Sequence, residues 1–392
     1  MDHEAFSRSP VGRLVPQRVH QPLTGEPVDF YAFLPAPLPR SVDLPDAAYK
    51  EVSTADYALG RLELALAAVP NPGLLVRPVV AREAVATSAL EGTFAKLFDV
   101  LAVDATHKKT ESSEVKEVVN AHAAVLRGFA ELETFPVHFS LVARLQRLIV
   151  SGTRGDSPMA GRIRDTQVFI SDGDARNITQ ARFVPPPPGA ELVEAINDWE
   201  KWIHQDDNLP VIVKVALAHY QFETLHPFRD GNGRVGRLVM LLQLVEAGRL
   251  EHPVLNISTF FEANKDEYRD LMLAVSRTGD FAPWVTFVAQ AIRVEADNGV
   301  ARVKRLVALH EEMRQQVRQA KVKGFARDVV DSLVANPVVT ASNLRQEHGV
   351  SWPTAIAALK RLEDIGLVSE VTGGSYGRIY FAPKVLEVLE AD

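Results

Sequence analysis

Residues 224 to 238, "TLHPFRDGNGRVGRL", decide how this chain is read. Within twelve positions they place His226, Asp230, Asn232, three glycines (231, 233, 236) and three arginines (229, 234, 237). The preceding run, "VIVKVALAHYQFETL", has helical periodicity and must stop at Leu225 or His226, because Pro227 disfavours helical geometry in the residue before it. A second helix is expected from about Arg234, where Val235, Leu238, Val239 and Leu242 recur at helical spacing. Between the helices, "RDGNG" can turn successive backbone N–H groups inward, since glycine accepts the positive φ that such a nest requires. A helix N-terminus adds unpaired N–H groups and a dipole that favours anions. Arg234 and Arg237 lie three apart on the first turn, and two guanidiniums beside an anion nest suit phosphate.

His226 and Asp230 supply what remains. A carboxylate beside bound phosphates commonly holds Mg²⁺, and a neutral imidazole can take a proton from an incoming hydroxyl. The set therefore reads as equipment for phosphoryl or nucleotidyl transfer. The Lys-Ser/Thr ending of a P-loop is absent. Taken singly, each residue has a plain structural reading: Asn-Gly makes turns, and Arg near a helix start often just meets solvent. His226 and Asp230, four apart, could also begin a transition-metal site, but no third ligand lies nearby.

Composition sets the wider bounds. The chain has 392 residues, enough for two or three domains with their own cores. A net charge of −7 argues against coating nucleic acid or anionic membrane by bulk electrostatics. With no cysteine there are no disulfides, thiolate zinc sites or cysteine nucleophiles. The start, "MDHEAFSRSPVGR", has no apolar core of signal type, and the greasiest run, "LVMLLQLVEAG", is too short to span a bilayer. The expectation is a cytoplasmic protein with no membrane partner.

Residues 1 to about 45 are punctuated by proline and read as an extended segment over the surface. Helical patterns follow from Ala47. Residues 161–188, "GRIRDTQVFISDGDARNITQARFVPPPP", read as a hairpin with a strand over Gln167, Val168, Phe169 and Ile170, the one convincing β element before the last domain. Helices resume to about residue 300. Residues 301–323 form a basic helix with seven Lys or Arg against two Glu. Three short helices, then "LVSEV", a "TGGSYG" turn and "RIYFA", predict a winged helix-turn-helix over 324–392.

"HPFRDGNGRVGR" resembles the motif of the Fic family, His-x-Phe-x-Asp/Glu-Gly-Asn-Gly-Arg-x-x-Arg, at every fixed position. The resemblance covers roughly residues 28 to 300. It implies a mainly α fold: a Fic helical core with a β-hairpin flap, followed by a C-terminal winged helix-turn-helix domain. The implied layout is an N-terminal region with an inhibitory helix (1–110), a catalytic core (111–300), the basic linker helix (301–323) and the winged domain (324–392). His226 would deprotonate a target Ser, Thr or Tyr. Phe228 would pin the loop, Asp230 would hold Mg²⁺ on ATP, and Gly231, Asn232 and Gly233 would form the nest. Arg234 and Arg237 would grip phosphates, and Arg229 belongs to the same nucleotide-binding stretch. Asn264 would reach the nucleotide from a later helix; Glu223 would approach it too or serve as a structural acceptor.

The implied reaction transfers AMP from ATP to a hydroxyl of a target protein, or of the chain itself, with pyrophosphate leaving. The hairpin 167–170 would be the flap that pairs with an extended target segment; its plain reading is a cover for the core. "TSALEG" is similar to the family's inhibitory pattern through Thr87, Glu91 and Gly92. Gly92 looks like a helix cap, which leaves Glu91 in a last turn where the dipole disfavours anions. A solvated helix end explains that placement, and so does a carboxylate directed at an arginine.

Two other functions stay open. One is a DNA-binding regulator with a ligand-sensing core, although residues 324–392 hold six basic and nine acidic residues, a poor phosphate-neutralising patch. The other keeps the fold and transfers phosphate or removes AMP. The target, the hydroxyl type and the oligomeric state, a homodimer included, are not legible.

Overall fold

The computed structural model describes residues 1–20, 27–69, 71–106, 110–171, 177–374 and 377–391. Its elements begin with α1 (His3–Ser7), β1 (Gly12–His20), β2 (Pro27–Pro35), α2 (Asp46–Ala67), α3 (Gly73–Leu90), α4 (Leu97–Thr106), α5 (Ser113–Leu132) and α6 (Phe139–Val150). They continue with α7 (Ala190–Ile203), α8 (Val211–Leu225), α9 (Asn232–Glu246), α10 (Ile257–Ala263), α11 (Lys265–Thr278) and α12 (Ala282–Gln319). The last are α13 (Ala326–Leu333), β3 (Val338–Thr340), α14 (Ala341–His348), α15 (Trp352–Asp364), β4 (Ser369–Glu370), β5 (Ile379–Phe381) and α16 (Pro383–Glu390). The fold is mainly α, with two small antiparallel sheets ordered β1-β2 and β3-β5-β4. Among the described residues no helix is long and apolar enough to cross a membrane.

The chain folds into two compact units, interleaved along the sequence. The first comprises Met1–Asp56, Arg127–Gly248 and Ala263–Ala291. Its centre is α8, apolar nearly all round and therefore buried on every side. Two indoles anchor it: Trp199 Nε1 donates to Ala218 O at 2.9 Å and Trp284 Nε1 to Ala216 O at 2.8 Å. Helix α9 packs against α8 through a glycine; a Cβ at Gly236 would lie 2.6 Å from Glu223 Oε1 and 3.0 Å from Phe222 Cδ1.

The N-terminal segment departs from its expected form. Residues 12–20 and 27–35 are two nine-residue strands paired antiparallel, in register from Gly12 opposite Pro35 to His20 opposite Pro27. Proline hid it. Pro16 cannot donate to a ladder, but each strand of a two-stranded ribbon is an edge, where that loss is tolerated. Phe30 and Ala32 lie on one face of β2 and Phe33 on the other, and all three are buried, so β2 is covered on both sides. Phe33 packs edge-on to Phe6 and Phe183, with centroids 5.2 and 5.9 Å away.

Residues 161–171 and 177–188 contain less β structure than the sequence suggested. There is no strand over 167–170; an isolated antiparallel bridge joins Ile170 to Phe183. The expected polar turn, 172–176, lies outside the described residues. Prolines 185 to 188 carry no N–H, so the ladder cannot extend beyond the bridge. Gln167 Nε2 substitutes by donating to Val168 O and Pro185 O, both at 2.9 Å. The returning arm is held on its other side by β2, through Phe33 N–H to Val184 O at 2.8 Å.

The second unit comprises Tyr57–Leu126, Arg249–Glu262 and Ile292–Asp392. Its last part holds the three helices and paired strands in the expected order, together with β3 and α16, which the sequence did not announce. Part of the "TGGSYG" turn, residues 375–376, lies outside the described residues. Phe98 of α4 meets Phe381 of β5 edge-on at 5.6 Å. Arg82 of α3, buried, donates to Leu389 O at 2.8 Å and Ala391 O at 2.9 Å, capping the end of α16. The separate helix expected over 301–323 is instead the latter half of α12, which continues to Gln319. Nothing at 298–300 breaks it, and Gly299 is a packing glycine whose Cβ would lie 2.9 Å from Leu62 Cδ1.

The N-terminal hairpin is part of the first unit's core, so Phe33→Ala should cost about 3–5 kcal/mol, the usual range for emptying a buried aromatic site. Chemical denaturation monitored by circular dichroism checks this, and a loss below about 1 kcal/mol would show the hairpin to be dispensable.

Candidate active site

The site is built where α8 meets Pro227. His226 caps the helix in the left-handed region, φ 48° and ψ 60°. Few non-glycine residues adopt that conformation, and it is costly without support. Its N–H still bonds back to Phe222 O at 2.9 Å. The ring is 19% exposed, with Nδ1 3.3 Å from Glu223 O and 3.9 Å from Glu223 Oε2. These acceptors favour the tautomer with its proton on Nδ1, which leaves a lone pair on Nε2.

The loop beyond is pinned at three points. Phe228, fully buried, stacks on Phe139 with centroids 5.6 Å apart and planes 8° from parallel. The Asn232 side chain grips the Phe228 backbone from both sides: Oδ1 accepts its N–H and Nδ2 donates to its carbonyl, each at 2.9 Å. Gln146, also buried, donates to Asp230 O at 2.8 Å and accepts from Gly161 N–H at 2.6 Å. Gly231 turns the chain at φ 77° into α9, whose ladder opens with Val235 N–H to Gly231 O at 3.0 Å. The N–H groups of Asn232, Gly233 and Arg234 precede that bond, so α9 itself supplies them no acceptor.

The charged residues sort themselves by depth. Arg234 and Arg237 are both buried. Arg234 Nη2 bonds Asp230 Oδ1 at 3.1 Å, while the Asp230 side chain stays 38% exposed. Its other oxygen faces Gly155, where a Cβ would stand 2.5 Å away. Arg229 points outward and pairs with Asp165 at 2.5 Å, holding that carboxyl below the usual carboxylate range. Among the described residues no cluster of three or more His, Asp or Glu could cage a metal. Mg²⁺ needs none when phosphates supply most of its oxygens. A partly exposed carboxylate beside the first turn of α9 suits that chemistry.

Sequence reasoning missed the residue that supports the elbow. Arg164, 1% exposed, donates from Nε to His226 O at 2.8 Å and from Nη2 to Leu225 O at 3.3 Å. Its own N–H bonds Pro227 O at 2.9 Å. Burial pulls its guanidinium down to about 10, so it stays charged at neutral pH. A helix stopped by proline, with no Gly or Asn in the capping position, has to find another donor for its last carbonyls, but the sequence does not say which residue supplies it.

Of the remaining candidates, Phe169 and Ile170 belong to the bridged arm. Both backbone groups of Ile170 are engaged: its N–H bonds Phe183 O at 2.8 Å and its carbonyl accepts from Phe183 at 3.1 Å and Arg182 at 2.9 Å. By alternation, those of the adjoining Phe169 face the opposite way. Asn264, half-buried, is the N-cap of α11 and lies between α10 and that helix. In the second unit, Thr87 is buried within α3 and Glu91 is its exposed C-cap. Gly92 takes φ 81° and donates to Ala89 O at 2.9 Å, and Thr93 N–H reaches Ser88 O at 3.0 Å. That pair of bonds is a Schellman cap, as the glycine foretold.

Behind Arg237 lies His219, whose Nε2 is 2.7 Å from Tyr268 Oη and whose ring stacks on Trp284 at 6.1 Å. Burial first, then the nearby Arg237 charge, pulls its pKa from 6.5 down to about 3. The ring is therefore neutral in the folded protein. Below 6.5 the unfolded chain takes a proton that the folded one refuses, so stability must fall as pH drops from 6.5 towards 3. Between about pH 7 and 5 this is on the order of 2 kcal/mol. His219→Gln should lose less stability over that interval than wild type in urea melts, and equal losses would refute a neutral, excluded His219.

Comparison with known proteins fits this arrangement. Residues 136–244 match the Fic/DOC family and residues 49–130 match the Fic/DOC family N-terminal region. The chain is 35% identical over 158 residues to the protein adenylyltransferase Fic of Nematostella vectensis, spanning 40% of this chain and 33% of that protein. It is 34% identical over 137 residues to the protein adenylyltransferase fic-1 of Caenorhabditis elegans, 34% of this chain and 23% of the relative. The match thus spans a third or less of these relatives' length. Among solved structures, a Fic family protein from Desulfovibrio desulfuricans G20 superimposes with a TM-score of 0.57 at 22% identity, covering 88% of this chain and 98% of that one. A Fic domain containing signaling protein from Bacteroides thetaiotaomicron does so at 0.51 and 16% identity, over 65% of this chain and 97% of its own. The folds agree, and the chain carries a Fic/DOC family domain at residues 136–244, preceded at 49–130 by that family's N-terminal region.

Proposed function

We propose that the chain transfers AMP from ATP to a hydroxyl group of a protein. The observation that carries this reading is a strained, partly exposed histidine beside the first turn of α9, with its tautomer set by Glu223. The target hydroxyl gives its proton to His226 Nε2 as its oxygen attacks the α-phosphorus. The bond from that phosphorus to the α,β-bridging oxygen breaks, and pyrophosphate leaves. The N–H groups of Asn232, Gly233 and Arg234 meet phosphate oxygens, and the Arg234 and Arg237 guanidiniums balance their charge. Asp230 would hold Mg²⁺, which when bound neutralises phosphate charge. An extended target segment pairs with the outward backbone groups of Phe169, which asks for main-chain contacts and little sequence. The relatives named protein adenylyltransferase support the same chemistry.

His226→Ala should lower transfer by about 10²- to 10⁴-fold while ATP still binds, because the nest and arginines remain. Label from α-³²P-ATP should reach protein and label from γ-³²P-ATP should not; the reverse would make the activity a phosphate transfer.

Glu91 is proposed to restrain this activity through Arg237. It stands exposed at the negative end of α3, where a carboxylate is disfavoured unless something else stabilises it. Glu91→Gly should raise self-modification, measured by intact mass, on the order of 10²-fold if phosphate misplacement is what it imposes. Arg237→Ala should erase most of that gain in the double variant. No gain at saturating ATP would leave Glu91 a solvated helix end.

A further inference from the structure

Arg164 does more than end a helix. A helix that needed only to stop would place Gly or Asn in the left-handed position, and the cap would follow from the backbone alone. Here histidine occupies that position, and the guanidinium answers Leu225 and His226 instead. It also reaches further than capping requires. Nη1 donates to Thr166 O at 3.3 Å and Nη2 to Pro186 O at 2.6 Å, the two feet of the 166–186 segment. Between those feet the arms are joined by the Ile170–Phe183 bridge and by Gln167 Nε2 on Pro185 O.

We propose that Arg164 is a positioning residue that fastens both feet of the target-docking segment to the backbone of His226, so that a docked hydroxyl and its base are held as one body. The inference rests on the functional reading above and adds how its two halves keep register. Four carbonyls from three stretches of chain converge on one planar group in a buried place. Lysine, a point charge on a flexible stem, cannot satisfy that set. An arginine with fewer carbonyls to serve would leave donors buried and unmade, which is costly. A displacement of about 1 Å between attacking oxygen and base can cost about 10²-fold in rate. The tie therefore governs kcat for protein targets and leaves nucleotide binding alone.

The test uses the full chain as Arg164→Lys and Arg164→Ala, read by amide hydrogen exchange and by transfer kinetics. Exchange should quicken about tenfold or more in residues 222–229 and in 166–171 together, while 236–246 of α9 keeps wild-type protection. Kinetically, kcat should fall about 10²-fold with KM for ATP changed less than about threefold. Guanidinium ion at low millimolar concentration should restore part of both in Arg164→Ala. If that variant does not fold, Arg164→Lys carries the same two measurements. Quickened exchange in only one stretch, or in neither, overturns the tie. Quickened exchange in both with wild-type kcat overturns its role in positioning. A wild-type chain that transfers no AMP would defeat the functional reading instead, and the exchange arm would still decide whether the segment and His226 are tied.

Discussion

A helix that runs into proline leaves its last carbonyls without N–H partners, and at the end of α8 a single buried guanidinium answers them. The placing of His226 depends on that junction. His226 can hold its left-handed backbone because the carbonyls of Leu225 and His226 are satisfied, and its ring then lies against Glu223. The loop beyond would still be loose without Asn232, whose side chain takes both polar groups of Phe228 and lets that ring sink into the core. The glycines serve two purposes here. Gly231 supplies a turn, whereas Gly236 supplies contact, letting Glu223 lie against α9 close to the imidazole.

The arginines show that residue type and residue role separate once depth is known. Arg234 and Arg237 are buried, Arg229 is outward, and Arg164 is deeper than any of them. A buried guanidinium is tolerable where its donors are met and where neighbours stay neutral. His219 is such a neighbour, kept uncharged by burial and by Arg237 itself. A basic patch on the surface could bind phosphate without these arrangements. A basic pair inside a helical core needs them, and they leave little freedom for the side chains to wander.

Much of this was legible in the sequence, and the reasons it was not elsewhere are specific. The end of α8, the start of α9 and the cap at Gly92 follow from proline, glycine and apolar spacing, which act locally. The β1–β2 hairpin was hidden because its prolines look like breakers, and only an edge position makes Pro16 harmless. The strand over 167–170 was overread because alternation cannot reveal that the partner arm runs into prolines 185–188. Arg164 and Gln146 were invisible for another reason. Apart from Thr166, their acceptors lie 22 to 84 residues away, and nothing in a side chain's own neighbourhood announces so distant a carbonyl.

The interleaving of the two units bears on when the protein can exist as well as on what it looks like. Ser9 donates to Ser276 O, 267 residues later, and Gln221 donates to Ala36 O across 185. On a ribosome adding about 5–20 residues per second, the first of those partners waits roughly 13–50 s for the second. Until residues 181–184 are made, Phe30 and Phe33, on the two faces of β2, lack the side chains they pack against. The exposure of the opening segment during synthesis is therefore set by translation speed rather than by any folding rate of its own.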